Sequence, residues 1–550
     1  MKTINHLIAG SCTKYAERPA LAKAFEEPLT YGRMEEAIRR VAAALIGLGV
    51  KRGDRVAILA ENSPNWGICY LATVRIGGVS VPILPDFPEM DIRHIIGASE
   101  ARLLFCSTRQ SEKILELGQH KLKRIILIDD GTVANPPVEC ETLSAFMDRG
   151  GCDDSRIAEV AGRVKAEDIA SLIYTSGTSG HSKAVMLSHA NLVSNVEAVP
   201  SVIPLEAGCV FLSLLPLSHA YEFTCGFLTP IAAGAKIVYA GARPTPTVLQ
   251  KICRQEKPWA ICIVPMVMEK IYKKRVLANI EHNWLLRTAL KVPGLRGKVR
   301  QQIGRKLLDF FGGDLRVMAI GGAPLNREVE DFLRLIRFPF LVGYGLTEAS
   351  PLVSAGPFGD ATVMPGSAGK PVRGVQIKVV NPERETGIGD IYVRGPNVMK
   401  GYYNDKALTA EALDSDGWLA TGDLGYLDQY GNLFLVGRSK SVIVLSHGEN
   451  IYPEAIEDKI NSYAVVAESL VVDRDDRLEA WVYPDYEYID TICSGRNEGD
   501  KGACVLELLE KMRREVNGQL PLYSQIGRMV ERREPFVKTA THKIKRYLYK

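Results

Sequence analysis

The stretch YTSGTSGHSKAVMLSH, Tyr174 to His189, follows an apolar run that starts at Ile169 and packs glycines, hydroxyl side chains and one lysine ahead of helical text. Glycine reaches backbone conformations closed to other residues, Ser and Thr hydroxyls donate hydrogen bonds, and Lys183 adds a mobile positive charge. Together they suit an anion with several oxygens, phosphate first. A plain Gly/Ser turn would need neither the lysine nor the strand that feeds it. The spacing also departs from the common nucleotide loop G-x-x-x-x-G-K-[ST], because Gly177 and Gly180 stand closer together and Lys183 lies further on. An ordinary kinase or GTPase is thereby disfavoured.

On either side of this loop the text alternates helices with short apolar strands, which is the pattern of parallel sheet covered by helices. Before it come Arg55–Leu59 and Leu103–Cys106, with helical stretches Met34–Leu48 and Asn65–Ile76. After it come strand-like Val210–Leu214, Lys236–Tyr239, Ala260–Val264, Arg316–Ile320 and Phe340–Val342. The expectation is an α/β chain with two doubly wound sheets. Between Gly366 and Tyr426 the strands shorten and are punctuated by Gly and Pro, as in a small antiparallel barrel or sheet. The last hundred or so residues carry their own helices, Pro453–Ser462 and Cys504–Asn517, and read as a small α+β unit, with a surface loop expected over Asp485–Gly502.

Length and composition bound the rest. A chain of 550 residues exceeds one ordinary core. A net charge of +4 is close to neutral for this size and gives no argument for nucleic acid. No stretch approaches the ~20 apolar residues of a membrane span, and MKTINHLIAGSC has too short an apolar centre for a secretory signal. The eleven cysteines form no C-x-x-C pair, which disfavours a zinc site or a disulfide framework. The expected compartment is the cytoplasm.

Downstream of the loop stand LPLSHAYE (Leu215–Glu222), IGGAPL (Ile320–Leu325), GYGLTEASP (Gly343–Pro351) and GDIYVRGPNVMKGYYN (Gly389–Asn404). GWLATGDLGYLD (Gly417–Asp428), GRSKSVIVLSHGENIYPEAIE (Gly437–Glu457) and VKTATHKIKR (Val537–Arg546) complete the series. In this order the motifs resemble those of the adenylate-forming (AMP-binding) superfamily of acyl-CoA synthetases, peptide-synthetase adenylation domains and luciferases. The resemblance implies a large N-terminal AMP-binding domain over residues 1–437 and a small mobile C-terminal domain over 438–550. It also implies a reaction: a carboxylate attacks the α-phosphate of ATP to give an acyl-adenylate and pyrophosphate, and a thiol then displaces AMP. An anion meeting a polyanion needs cations and oriented donors rather than a base, since the acid is already ionised near neutral pH.

By the same resemblance, Thr175, Ser176, Gly177, Thr178, Ser179, Gly180 and Lys183 form the phosphate loop; Thr347 touches phosphate and Glu348 is the Mg²⁺ carboxylate, a hard oxygen ligand of the kind Mg²⁺ prefers. Gly322, Ala323 and Tyr344 form the adenine slot, Asp423 and Arg438 hold the ribose, and Lys543 is the catalytic cation. Lys440 is the hinge and Gly448 lines the thiol tunnel. Two departures stand out: Ser182-Lys183-Ala184 where the family usually has Pro-Lys-Gly, and His542-Lys543 where it usually has Gly-Lys.

Peptide-synthetase domains place an Asp in the segment matching LPLSHAYE, and none lies there. The text instead looks like the long-chain fatty acyl-CoA synthetase branch, with His219 as the gate beside the reacting carboxylate and Tyr221, Phe223 and Met266 as acyl-pocket candidates. The implied cofactors and partners are Mg²⁺, ATP, CoA and a fatty acid. Alternatives are a carrier-protein pantetheine as acceptor, or a non-catalytic acyl or adenylate sensor. The Arg275–Phe311 stretch mixes Lys291, Arg296, Lys298 and Arg300 with Trp284 and Leu285. It fits either a solvated helix pair or a peripheral contact with anionic lipid on the inner membrane face.

Overall fold

A computed structural model describes residues 2–549 except 116–120, 130, 151–152, 177–181, 242–243, 278–279, 281–282, 446–448, 493–497 and 540–542. Two large sheets dominate. The first has nine strands, of which Phe340–Gly345, Val317–Ile320, Ala260–Ile263, Val210–Ser213, Lys236–Tyr239 and Pro19–Lys23 run parallel in that spatial order. The second has seven, with Arg55–Leu59 and Val79–Ile83 parallel at its centre and the antiparallel pair Ile169–Ser176 and Ser182–Ser188 at one edge. Strand residues buried on both faces explain the continuous apolar runs, such as Leu103–Cys106. Helices such as Tyr31–Gly47 and Pro64–Arg75 start on Thr30 and Ser63 side chains that accept an N–H from the first turn.

The two sheets share one core. Trp66 stacks on Tyr70 at 5.8 Å between ring centroids, and Phe223 and Phe227 close against them. This cluster extends under the four-stranded antiparallel sheet Gln376–Val380, Gly389–Arg394, Leu419–Leu427 and Leu433–Arg438. Residues from Ile451 to Met529 form a core of their own around the sheet Val466–Arg474, Arg477–Pro484 and Ile526–Glu531.

Three readings change. The segment Ser182–Ser188 is a strand antiparallel to Ile169–Ser176, and the helix begins only at His189; residues 177–181 between the two strands lie outside the described residues. Of the expected loop over 485–502, the described residues are largely helical, in Tyr486–Ile492 and the start of Glu498–Asn517, and 493–497 lie outside them. Val505, Leu509, Met512 and Val516 are buried on one face of the second helix, and that packing outweighs the Gly-rich text at its start. Among the described residues eight cysteines are free, while Cys504 is disulfide-bonded, which the spacing gave no reason to expect. No helix among the described residues is long and apolar enough to cross a membrane.

Candidate active site

The parallel strands of the nine-stranded sheet deliver their carboxyl ends to one place, where ligands of open α/β sheets are commonly bound. Val317–Ile320 leads to Gly321, Gly322 and Ala323; Phe340–Gly345 leads to Leu346, Thr347 and Glu348; Val210–Ser213 leads to Ser218 and His219. These residues, with several from the strands themselves, line a single cavity of about 1290 Å³. Glycine is required at two of its corners. Gly322 takes φ +89, and a Cβ on Gly345 would meet the Pro351 carbonyl oxygen at 2.1 Å.

The hairpin contributes cations and hydroxyls from the other side. Thr175 and Lys183 are directly paired across its strands and both line the cavity. Gly177, Thr178, Ser179 and Gly180 lie outside the described residues, as do Gly448 and His542; Ser176 ends its strand. Of the unusual residues beside Lys183, Ser182 opens the second strand opposite Ser176, and Ala184 is buried opposite Tyr174. The Lys183 ammonium sits 5.2 Å from the centre of the Tyr402 ring. Tyr402 in turn donates its hydroxyl to Glu348 Oε1 at 2.9 Å. Burial, with Glu348 beside it, raises the Tyr402 phenol, so it stays a donor. Tyr402 falls in the GYYN motif but had no role assigned from the sequence.

On the far wall, Tyr344 donates its hydroxyl to Asp423 Oδ2 at 2.6 Å, and Arg438 Nε reaches Asp423 Oδ1 at 3.0 Å. Asp423 is 8% exposed and sits behind Tyr344, Gly422 and Arg438, which line the cavity. Both of its oxygens are therefore engaged once, leaving each with a further lone pair.

Lys543 projects into the same cavity from near the C-terminus, and Lys440 lines it too. Lys543 is open to solvent yet ringed by protein. That surrounding, and then the Arg438 guanidinium, hold its ammonium below the usual lysine value against the pull of Asp423 and Glu348. His219 faces it. Burial first, and Lys543 second, push the imidazole down to about 4, so it is neutral near pH 7. Its Nδ1 accepts the Tyr221 N–H at 3.3 Å, which assigns the ring proton to Nε2.

Of the acyl-pocket candidates, Tyr221 and Met266 line the cavity, with the Tyr221 hydroxyl donating to the Ala319 carbonyl at 3.0 Å. Phe223 does not: it is 1% exposed on a π-helical turn, Glu222–Leu228, and its ring lies 4.4 Å from Tyr70 in the shared core. Residues the sequence reading had not singled out, among them Val202, Ile203, Phe211, Ile271 and Phe310, give the cavity long apolar walls.

The residues present fit a nucleoside triphosphate and a divalent cation. The Glu348 carboxylate stands among the cations Lys183, Arg438 and Lys543, and no group of three metal-binding side chains occurs among the described residues. One carboxylate with substrate phosphates is the usual way to hold Mg²⁺.

Residues 8–403 match the family described as AMP-binding enzyme. The chain is 32% identical over 461 residues to the long-chain-fatty-acid–CoA ligase FadD15 of Mycobacterium bovis, covering 79% of this chain and 73% of that one. It is 29% identical over 479 residues to the 4-coumarate–CoA ligase of Vanilla planifolia, covering 84% and 79%. Among solved structures, the anthranilate CoA ligase AuaEII in complex with anthranoyl-AMP superposes with a TM-score of 0.79 at 20% identity, over 100% of this chain and 96% of that one. At that identity the likeness speaks for the fold.

Proposed function

The chain belongs to the AMP-binding enzyme family, and we propose that it is an adenylate-forming ligase that joins a long-chain fatty acid to CoA. The observation that carries the proposal is that Lys183, Glu348, Arg438, Lys543 and His219 converge on one cavity that also runs between apolar side chains such as Val202, Ile203, Phe211 and Ile271. The acid enters as a carboxylate and needs no base. Lys183 and Thr175 face the β- and γ-phosphates, Tyr344 with Gly322 and Ala323 takes adenine, and Asp423 with Arg438 takes the ribose. Glu348, held by Tyr402 and set within the short turn Thr347–Ala349, would hold Mg²⁺, which shields phosphate charge when bound. Neutral His219 offers its Nε2–H to the substrate carboxylate or carbonyl without adding a charge. Lys543 offsets the charge that builds on the α-phosphate as the carboxylate attacks and pyrophosphate leaves.

In the second half-reaction the CoA thiol attacks the acyl-adenylate carbonyl and AMP departs. We assign the exchange between the two states to residues 438–550, turning about Lys440 as a mobile domain with its own core. The apolar walls favour an alkyl chain, because each buried CH₂ adds about 0.8 kcal/mol to binding until the channel ends. The 29% identity to a 4-coumarate ligase supports an aromatic acid as the second reading. The test is pyrophosphate release and thioester formation across acetate, C8–C18 fatty acids and 4-coumarate, with CoA and acyl carrier protein as competing acceptors. A kcat/KM that rises with chain length and CoA as the better acceptor is the expected result. A higher value for 4-coumarate or acetate than for every C8–C18 acid overturns the fatty-acid assignment.

The same reading includes a peripheral contact with the cytoplasmic face of a membrane. Trp284–Lys291 has no buried residue, Trp284 is 65% exposed, and Met266 and Phe310 bring the cavity wall to the base of this helix pair. Flotation with anionic liposomes at low and high salt tests it, since cations near such a surface add about 1 kcal/mol each and are screened by salt. No flotation at low salt leaves the helices merely solvated.

A further inference from the structure

Lys543 reaches the cavity only if the tail that carries it is held there, and the restraint can be traced. Arg546, three residues on, pairs with Glu457 and lies 3.6 Å from Glu454, both on the helix Pro453–Asn461. The C-terminal end of that helix is gripped from the other side of the cavity. Lys273, in the π-helical turn Tyr272–Leu277, donates from Nζ to the Asn461 carbonyl at 2.8 Å and to the Tyr463 carbonyl at 3.2 Å. A cation there meets the partial negative charge of the last carbonyls. Asn326 adds a second hold: its Nδ2 donates to the Asp458 carbonyl at 3.2 Å while its Oδ1 caps the helix Arg327–Leu335.

The seam is not driven apart by its own acids. Glu269 accepts the Asn326 N–H at 3.3 Å. Burial first, with Glu269 beside it, pushes the Asp458 carboxyl up to about 7, so the pair carries less than full charge near neutrality. Lys273 is itself lowered by burial while Glu269, Asp485 and Glu328 hold its charge in place.

We infer that Lys273, seconded by Asn326, is a latch that docks the helix Pro453–Asn461 against the large sheets and through Arg546 sets Lys543 at the α-phosphate, making Lys273 a positioning residue for the first half-reaction. The inference rests on the adenylate-forming reading above. A positioning role differs from a structural one in which half-reaction it touches. Losing the latch lowers the population with Lys543 in place and leaves thiol attack on a finished adenylate untouched.

The experiment compares Lys273→Met, which keeps the apolar stem, with Lys273→Arg, which restores a donor. In Lys273→Met, pyrophosphate release falls by roughly fivefold or more with KM for ATP unchanged, and conversion of supplied acyl-adenylate and CoA stays at the wild-type rate. Lys273→Arg recovers most of the loss. In a Lys543→Ala background Lys273→Met has no further effect, because there is no cation left to position. Hydrogen exchange of the segment Pro453–Tyr463 rises in Lys273→Met, a readout that needs no acid substrate. Unchanged exchange and unchanged adenylation overturn the latch, as does equal loss in both half-reactions or a loss that persists without Lys543. Wild-type protein that releases no pyrophosphate with any acid sinks the proposed function instead, and exchange then decides the latch by itself.

Discussion

Arg438 and Lys543 meet at one cavity, yet they are held in opposite ways. Arg438 ends a strand paired antiparallel with Leu419–Leu427, and its guanidinium is fixed on Asp423, which Tyr344 also holds. Lys543 sits on a tail near the C-terminus: its carbonyl accepts the Thr539 N–H at 2.8 Å, its N–H donates to Thr539 Oγ1 at 3.1 Å, and an isolated bridge joins Lys538 to Ile544. Groups that bind the unchanging part of a substrate gain from a rigid frame. A cation needed for one step only gains from a tether that lets go.

The comparison can be broken from its rigid side first. Glu348→Gln removes the carboxylate that would hold Mg²⁺ while keeping the shape, and adenylate formation should fall about a thousandfold, measured as pyrophosphate release at saturating Mg²⁺. A loss that extra Mg²⁺ fully restores would reduce Glu348 to an affinity determinant. Asp423→Ala should act mainly on binding. Two hydrogen bonds to a charged acceptor are worth about 1.5–3 kcal/mol each, so KM for ATP should rise by roughly a hundredfold or more. An unchanged KM would mean that Asp423 serves only to hold Tyr344 and Arg438.

Smaller effects sharpen the picture. Tyr402→Phe keeps the ring beneath Lys183 and deletes one hydrogen bond to Glu348, so adenylation should drop about five- to tenfold with no change in Tm beyond a few degrees. The smallest is a displacement of the pH profile. Lys543 is lowered, so its charge is lost at lower pH than an ordinary lysine, and the alkaline limb of adenylation should begin below that value and disappear from the profile of Lys543→Arg. His219 is depressed to about 4, so its neutral form persists through the ordinary histidine range. Its contribution to stability is present above about 6.5 and is lost as pH falls toward 4, with no acid limb from this group near 6.5. An acid limb near 6.5 that vanishes in His219→Gln would show the ring to be solvated.

Much of the site was legible because its parts recur as short ordered motifs at strand ends. Thr175, Lys183, Gly322, Tyr344, Glu348, Arg438 and Lys543 do reach one cavity. Side-chain direction was harder to read. Tyr221, just before the π-helical turn Glu222–Leu228, and Phe223 within it are two residues apart, and only packing against Trp66 and Tyr70 decides that Phe223 turns to the core. Tyr402 was invisible as a site residue because its role depends on a backbone path, from Met399 to Tyr403, that hydrogen-bonds to the hairpin at Ala184 and Met186. Lys273 and Arg546 were also beyond a linear reading, since each acts on a helix remote from it in sequence. The strand Ser182–Ser188, the helix Tyr486–Ile492 and the start of the helix Glu498–Asn517 were obscured by polar and glycine-rich text whose conformation is set by tertiary partners, whereas Cys504–Asn517 was legible as a helix.

The division of labour between frame and tether is tested most directly by Lys543→Ala, with the two half-reactions measured separately. Removing one charged stabiliser of a phosphoryl-like transition state typically costs roughly 3 kcal/mol or more, so adenylate formation should slow by at least about a hundredfold. Supplied acyl-adenylate and CoA should still give thioester at close to the wild-type rate. Equal loss in both half-reactions, or adenylation at the normal rate, would contradict the assignment of Lys543 to a cation that serves the first step and is then withdrawn.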